Sequence, residues 1–224
     1  MANFEGEKRV NASPSEAAYE AIRQRIIEGD FLPSQRLVEA QLAESLGFSR
    51  HNVRIALDRL HSDGLVRIEP NRGATVATLS LEEAIDILQA REALEGEVAR
   101  LATLVIDSAG LELLNTHLET MRHALETFEF EIYSATNVRF HQAIYEASGN
   151  RTIPEIIKML RLRLARLQLR TILIPGRSEQ SIAEHEAIFE ALVRRDGDAA
   201  ELAARQHVSS LSAAIEKAWS LVRL

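Results

Sequence analysis

The 224-residue chain contains no cysteine. That excludes disulfides, thiolate catalysis and Cys-ligated zinc or iron–sulfur sites, so any metal must be held by imidazole, carboxylate, amide or water. No apolar run approaches the roughly 20 residues that a transmembrane helix needs. The first residues, Met1-Ala2-Asn3-Phe4-Glu5-Gly6-Glu7-Lys8-Arg9, lack the apolar core of a signal peptide. A cytoplasmic protein with no membrane partner is expected. An excess of basic charge is also missing, since the formal net charge is −7. Residues 1–80 carry 10 Lys and Arg against 11 Asp and Glu, and residues 81–224 carry 16 against 22. Between Ser49 and Arg72 the balance reverses, with Arg50, Arg54, Arg59, Arg67 and Arg72 against Asp58, Asp63 and Glu69. A small basic patch on an acidic body suits a protein that uses two copies at a specific site. It argues against a nonspecific coat on nucleic acid.

What is present is organised around residues 32–76. Gln41 to Leu46 has apolar positions at helical spacing, and Gly47 ends that helix, since glycine readily takes the left-handed conformation. Ser49 can cap a following helix by accepting a bond from an N–H near residue 52. Val53, Ala56, Leu57 and Leu60 then fall on one face, and Arg50 and Arg54 on another. Two helices meeting at a glycine turn also occur in bundles that touch no nucleic acid, so the pattern alone leaves both readings open. Arg50 favours a DNA reader. In the first turn it opposes the helix dipole, and a phosphate or a guanine edge would give it a partner. Gly64 is expected to end the helix. A two-stranded wing follows, Leu65 to Glu69 and Ala74 to Ala77, joined by the turn Pro70-Asn71-Arg72-Gly73.

The run Leu42-Ala43, Leu46-Gly47-Phe48-Ser49-Arg50, Val53-Arg54, Ala56-Leu57, Arg59-Leu60, Gly64-Leu65-Val66 and Arg72-Gly73 resembles the winged helix-turn-helix of the GntR family of bacterial transcription regulators. The resemblance implies double-stranded DNA as partner, with Ser49, Arg50, His51, Asn52, Arg54, Arg72 and Gly73 at the contact surface. His51 and Asn52 stand where a small residue and Pro are usual, and Ile55 where many members have Glu. These departures bear on which DNA sequence is read.

The rest of the chain frames this reader. Residues 1–14 carry few apolar anchors and are expected to be flexible. A helix over about 15–28 should bury Ala18, Ile22 and Ile26, and the small domain 15–78 should also bury Leu37, Leu42, Leu46, Val53, Leu57 and Leu60. Ser80 with Glu83 makes a capping box at the boundary. Beyond it the strand signals vanish, and helices are expected near 81–106, 110–128, 131–148, 151–173, 179–195 and 198–218. Residues 79–224 should therefore form an all-helical antiparallel bundle, making the whole chain mainly α. One stretch, Arg151 to Ile174, carries Arg151, Lys158, Arg161, Arg163, Arg166 and Arg170 among Ile, Leu and Met. It reads either as a core helix whose basic residues snorkel to solvent or as an interface.

Three of the five histidines in the bundle are placed to converge. Asn137 and His141 are four apart, on one face of one helix. His185 and His207 lie on either side of Asp196-Gly197-Asp198. Antiparallel packing about that turn sets residue 185 opposite about 209, close to His207. Imidazoles from separate helices can build a metal site in a bundle core, with Zn or Ni among the suitable ions. The runs Asn137-Val138-Arg139-Phe140-His141, Ile144 to Asn150, Glu184 to Leu192, Gly197-Asp198 and Ala203 to His207 resemble the helical ligand-binding FCD domain of the FadR subfamily. That resemblance implies a divalent metal at Asn137, His141, His185 and His207. Asn137 replaces the more usual Asp, which weakens the site and leaves it one unit more positive. The resemblance further implies a homodimer on a palindromic operator, a repressor released by a small carboxylate effector, and a pocket role for Arg91. The competing reading of Arg91 is an i,i+4 pair with Glu95 on a wet face. The competing function is a metal-dependent hydrolase or isomerase with Glu184 or Glu186 as base. Against it, helix neighbours diverge by about 100 degrees from His185, and no His-Glu-x-x-His is present.

Overall fold

A computed structural model describes residues 13–70, 72–171 and 174–222. Residues 1–12, which the sequence reading treats as flexible, and Asn71 of the wing turn lie outside the described residues. The chain divides after Thr78 into two compact units.

In the first unit, α1 (Pro14–Glu28) starts at Ser13, whose hydroxyl accepts from the Glu16 N–H at 3.2 Å. Helix α1 thus begins at Pro14, inside the segment expected to be flexible. After β1 (Arg36–Leu37) come α2 (Glu39–Leu46) and α3 (Arg50–Ser62), then β2 (Val66–Glu69) and β3 (Gly73–Val76). The turn between α2 and α3 places Gly47 at φ 74°, and Ser49 caps α3. The wing is not two-stranded. Its order is β1-β3-β2, all antiparallel, with Leu37 opposite Ala74 and Val66 opposite Val76. A two-residue strand is too short to show the alternation that marks a strand in sequence. Helix α3 ends just before Gly64 as expected, with Asp63 at its C-cap and Gly64 at φ 76° beyond it. The core of this unit gathers Ala18, Ile22 and Ile26 of α1, Val53, Leu57 and Leu60 of α3, and Leu37, Val66 and Val76 of the sheet. Leu46, expected inside, is only half-buried. Tyr19 Oη donates to Asp63 at 2.7 Å, tying α1 to the end of α3. Burial and the Asp63 carboxylate both raise the phenol's pKa, so it stays a donor.

The second unit holds α4 (Leu81–Val105), α5 (Ser108–Glu126), α6 (Phe130–Ala147), α7 (Ile153–Thr171), α8 (Arg177–Arg194) and α9 (Gly197–Val222). Both bonds of the Ser80–Glu83 capping box are present at 3.1 Å. Helix α5 starts earlier than its glycine suggests, because the Asp107 carboxylate accepts from the Gly110 N–H at 2.8 Å and holds 108–110 in the first turn. Helix α4 lies along α9 so closely that a Cβ on Gly96 would stand 2.8 Å from Arg205 Cγ. Among the described residues, no helix is long and apolar enough to cross a membrane.

Two apolar clusters fill this unit. One includes Val98, Ala102, Leu114, Phe140, Ile144, Ile188 and Leu192, and the other Ala84, Leu88, Leu164, Val208 and Leu211. Along α4 the break between them falls at Arg91 and Glu95. Along α9 it falls at His207. A buried polar layer thus separates two dry ones.

The turn from α8 to α9 is fixed by Arg195, a non-glycine residue at φ 53°. Its guanidinium donates to the carbonyls of Thr103 at 2.9 Å and Ile106 at 2.6 Å, which end α4 and would otherwise lack helical partners. Arg195→Ala is expected to lower unfolding stability by about 2 kcal/mol, the scale of hydrogen bonds from a charged donor. Urea denaturation measures it, and an unchanged midpoint would show that the turn holds without these bonds.

Candidate functional site

The polar layer is built from five helices, α4, α6, α7, α8 and α9. His141 comes from α6, His185 from α8 and His207 from α9, and all three side chains are buried. Their ligating nitrogens lie within 4.8 Å of one another. His141 Nε2 and His185 Nε2 are 3.1 Å apart, and the rings of His185 and His207 are 4.5 Å apart between centroids. Two carboxylates stand behind them. His207 Nδ1 donates to Glu184 Oε2 at 2.8 Å, which assigns the ring proton to Nδ1 and leaves the Nε2 lone pair available. Glu95 Oε2 faces His141 Nδ1 at 3.7 Å, an electrostatic contact beyond hydrogen-bond length.

Arginines hold the carboxylates in turn. Arg91 Nε donates to Glu95 at 2.8 Å, one turn away on α4. Arg177, the first residue of α8, reaches Glu184 through Nη2 at 3.0 Å. Arg161 Nη1 donates to Tyr145 Oη at 3.0 Å. Desolvation alone would raise the Glu95 pKa, but Arg91 and Arg161 outweigh it and keep the carboxyl below its ordinary value. Glu184 is held low in the same way: burial pushes it up, and the bonds from His207 and Ser210 with the charge of Arg177 bring it down. For His141 and His185 burial dominates. It drives both pKa values well below the usual imidazole range, and neighbouring positive charge adds to the effect. Burial thus favours the uncharged form of both rings, in which each keeps one unprotonated nitrogen, and their Nε2 atoms share one hydrogen bond.

Several polar atoms here are buried without a hydrogen-bond partner. They are Asn137 Oδ1, Arg91 Nη1, Arg177 Nε and Nη1, Ser178 Oγ and His185 Nδ1. Native interiors satisfy nearly all such atoms, so a cluster of orphans marks a place where something else binds. All of these residues but His185 line a cavity of about 60 Å³, whose walls also include His141, Arg161 and His207.

The predicted residues Asn137, His141, His207 and Arg91 thus line one cavity, with His185 in contact behind them. The pair Arg91–Glu95 forms, but its side chains are 2% and 3% exposed, so the wet-face alternative is wrong. Packing of α4 along α9 buries it. Glu184 does diverge from His185, as adjacent helix positions must, yet it enters the site through His207. Glu186 points to the surface and pairs with Arg122. The basic helix α7 neither snorkels throughout nor stays outside: Arg161 turns in, while Arg163 meets Glu83 at 3.6 Å. The side chains of Arg166 and Arg170 lie outside the described residues. Sequence reasoning gave no role to Arg177 and Ser178. Following Pro175-Gly176, they look like the start of any helix, and no local signal marks their burial.

In the first unit, the reader residues occupy two places. Ser49 spends its hydroxyl on the Asn52 N–H at 3.2 Å. Arg50 and His51 are exposed on the first turn of α3, and Asn52 is half-buried. Arg54 donates to both oxygens of Glu39 on α2, at 3.1 and 2.9 Å, while remaining two-thirds exposed. Its hydrogen bonds hold the Glu39 pKa below the ordinary value. At the wing tip Arg72 reaches Glu69 at 3.2 Å, and Gly73 sits at φ 80°, where L side chains are strained.

Comparison with known proteins decides the family. Residues 14–76 match the family described as bacterial regulatory proteins, gntR family, and residues 86–210 match the FCD domain. The chain belongs to the GntR family and carries an FCD domain. As a GntR–FCD protein it is a DNA-binding transcription regulator, not an enzyme. It is 28% identical over 199 residues to the HTH-type transcriptional repressor RspR of Escherichia coli K12, covering 89% of this chain and 87% of the relative. It is 29% identical to the Uxu operon transcriptional regulator of the same organism, covering 85% and 82%. Among solved structures, E. coli McbR/YncC superposes with a TM-score of 0.78 at 24% identity, over 92% of this chain and 99% of that one, which shows the shared fold.

Proposed function

We propose that this GntR regulator is a repressor that binds a palindromic operator as a homodimer and is released by a small carboxylate effector held in the buried cavity. The carrying observation is the cavity itself. The imidazoles of His141 and His207, an orphaned amide oxygen and unpaired guanidinium nitrogens of Arg91 and Arg177 face one small space inside a bundle core. A purely structural core would not leave such groups unpaired, because each costs about 1–3 kcal/mol when buried and unsatisfied. RspR, a repressor by name, supports the direction of regulation.

The donor set fits a divalent metal. His141, His185 and His207 supply ring nitrogens, and Asn137 supplies an amide oxygen with no other partner. Imidazole suits Zn and Ni among first-row ions. A bound ion would supply positive charge and open positions for an anionic ligand. The protein's part is to hold His207 through its Nδ1–Glu184 bond, set Glu95 near His141, and present Arg91 to a carboxylate.

On the DNA side, a two-fold dimer would set two α3 helices in major grooves about one turn, or 34 Å, apart. Arg50 would read a guanine edge or phosphate. Arg54, pre-set by Glu39, would need only to rotate one N–H toward DNA, and Arg72 and Gly73 would bring the wing to the backbone. Effector binding changes DNA affinity only if the effector prefers one of the two states, so its contacts must differ between them.

Two substitutions separate the halves of this reading. Arg50→Ala is expected to weaken specific operator binding by about 5- to 150-fold, the range of one bidentate base contact, with the fold intact. Gel-shift titration beside circular dichroism checks it, and unchanged operator affinity would remove Arg50 from the reader surface. His141→Ala is expected to abolish effector release while DNA binding persists. If that variant responds to effector as the parent does, the imidazole cluster has no regulatory role.

A further inference from the structure

The cavity offers more unpaired donors than one carboxylate would occupy. Arg91, Arg161 and Arg177 bring three guanidiniums to its wall. Arg91 is paired with Glu95 and Arg177 with Glu184, while Arg161 meets only the Tyr145 hydroxyl among the hydrogen bonds of the described residues. Buried charge without a counterion is strongly unfavourable, so an anionic guest should be favoured.

The unpaired donors also fall in two groups. Arg91 Nη1 lies with Glu95 beside His141. The second group is at the start of α8. Arg177 Nε and Nη1 and Ser178 Oγ are all without partners, on residues that are each 5% exposed. Helix α8 has 18 residues, and its N-cap, Gly176, offers no side-chain bond, so the positive end of the helix dipole is uncapped at the same place. Both groups line the same cavity, and the Glu184 carboxylate touches both His207 and Arg177.

We infer that the effector is a short dicarboxylate: one carboxylate meets Arg91 and the imidazole cluster, and the second is taken by Arg177, Ser178 and the N-terminus of α8. This rests on the carboxylate-effector reading above and goes beyond it by giving the ligand two charged ends. The cavity of about 60 Å³ limits the linker to about one to three carbons, since each water-sized guest takes roughly 10–15 Å³ of such space.

The test is isothermal titration of the full chain, purified without chelator, with malonate, succinate and glutarate against acetate, propionate and butyrate. Inorganic phosphate serves as a further probe. One of the dicarboxylates should bind at least about tenfold tighter than any monocarboxylate, the scale of added charged hydrogen bonds. Arg177→Gln should erase that advantage, costing dicarboxylate binding at least about fivefold more than monocarboxylate binding. Ser178→Ala, which leaves the Arg177–Glu184 pair in place, should reduce it by about threefold or more. Equal affinity for mono- and dicarboxylates would overturn the second subsite while leaving the effector reading intact. Equal loss of both ligand classes in Arg177→Gln, with no effect of Ser178→Ala, would also overturn it, because Arg177 would then act only through Glu184 and His207. Phosphate binding that depends on Arg177, without a dicarboxylate preference, would assign the subsite to a phosphate and overturn the dicarboxylate. If no carboxylate binds at all, the effector reading itself fails.

Discussion

The helical unit depends on keeping a layer of ionised and polar groups satisfied between two apolar clusters. Three guanidiniums, two carboxylates and three imidazoles lie where a simpler bundle would place Leu and Ile. Each charge is costly to bury alone, and most are held by a partner charge or a hydrogen bond: Arg91 by Glu95, Arg177 by Glu184, Arg161 by the Tyr145 hydroxyl. Because the carboxylates are anchored from behind, they can orient imidazoles in front. What remains unsatisfied faces the cavity. A network of this kind contributes little net stability, and a well-packed apolar layer would do as well or better. The binding role proposed above accounts for its presence.

The reader unit works with little charge. Its segment from Ser49 to Arg72 is positive on a chain of net charge −7, so nonspecific attraction to DNA is weak and position has to supply affinity. Position is built in at several points. Ser49 fixes the first turn of α3, Tyr19 ties α1 to Asp63 at its end, and Glu39 holds the Arg54 guanidinium from the neighbouring helix. Ordering these side chains in the free protein lowers the entropy lost on binding.

Much of this was legible in the sequence, for identifiable reasons. Ser49, Gly47 and the apolar spacing of α3 act locally, and local signals survive without tertiary context. The imidazoles were legible because a short turn between α8 and α9 converts sequence distance into spatial distance. Strand β1 was not, since two residues have no period. The start of α5 was misplaced because the Asp107 cap overrides the glycine preference at position 110. Arg161, Arg177 and Glu184 were hidden for a different reason. A long charged side chain on an amphipathic helix normally marks the wet face, and only partners from other helices make its burial tolerable. Arg91 shows the same limit. Its spacing to Glu95 was right, and its environment was reversed by the close packing of α4 on α9.

Asn137 makes the metal the point on which the account turns. An amide in place of a carboxylate removes one negative charge, while Glu95 and Glu184 supply negative charge one shell further out. Elemental analysis of protein purified without chelator or a histidine tag tests this directly, with the His141→Ala/His185→Ala double variant prepared in parallel. The account predicts about one divalent ion per chain in the parent, the single site that one such cluster provides, and none in the double variant. A parent protein free of metal, or metal retained equally by the double variant, would contradict it.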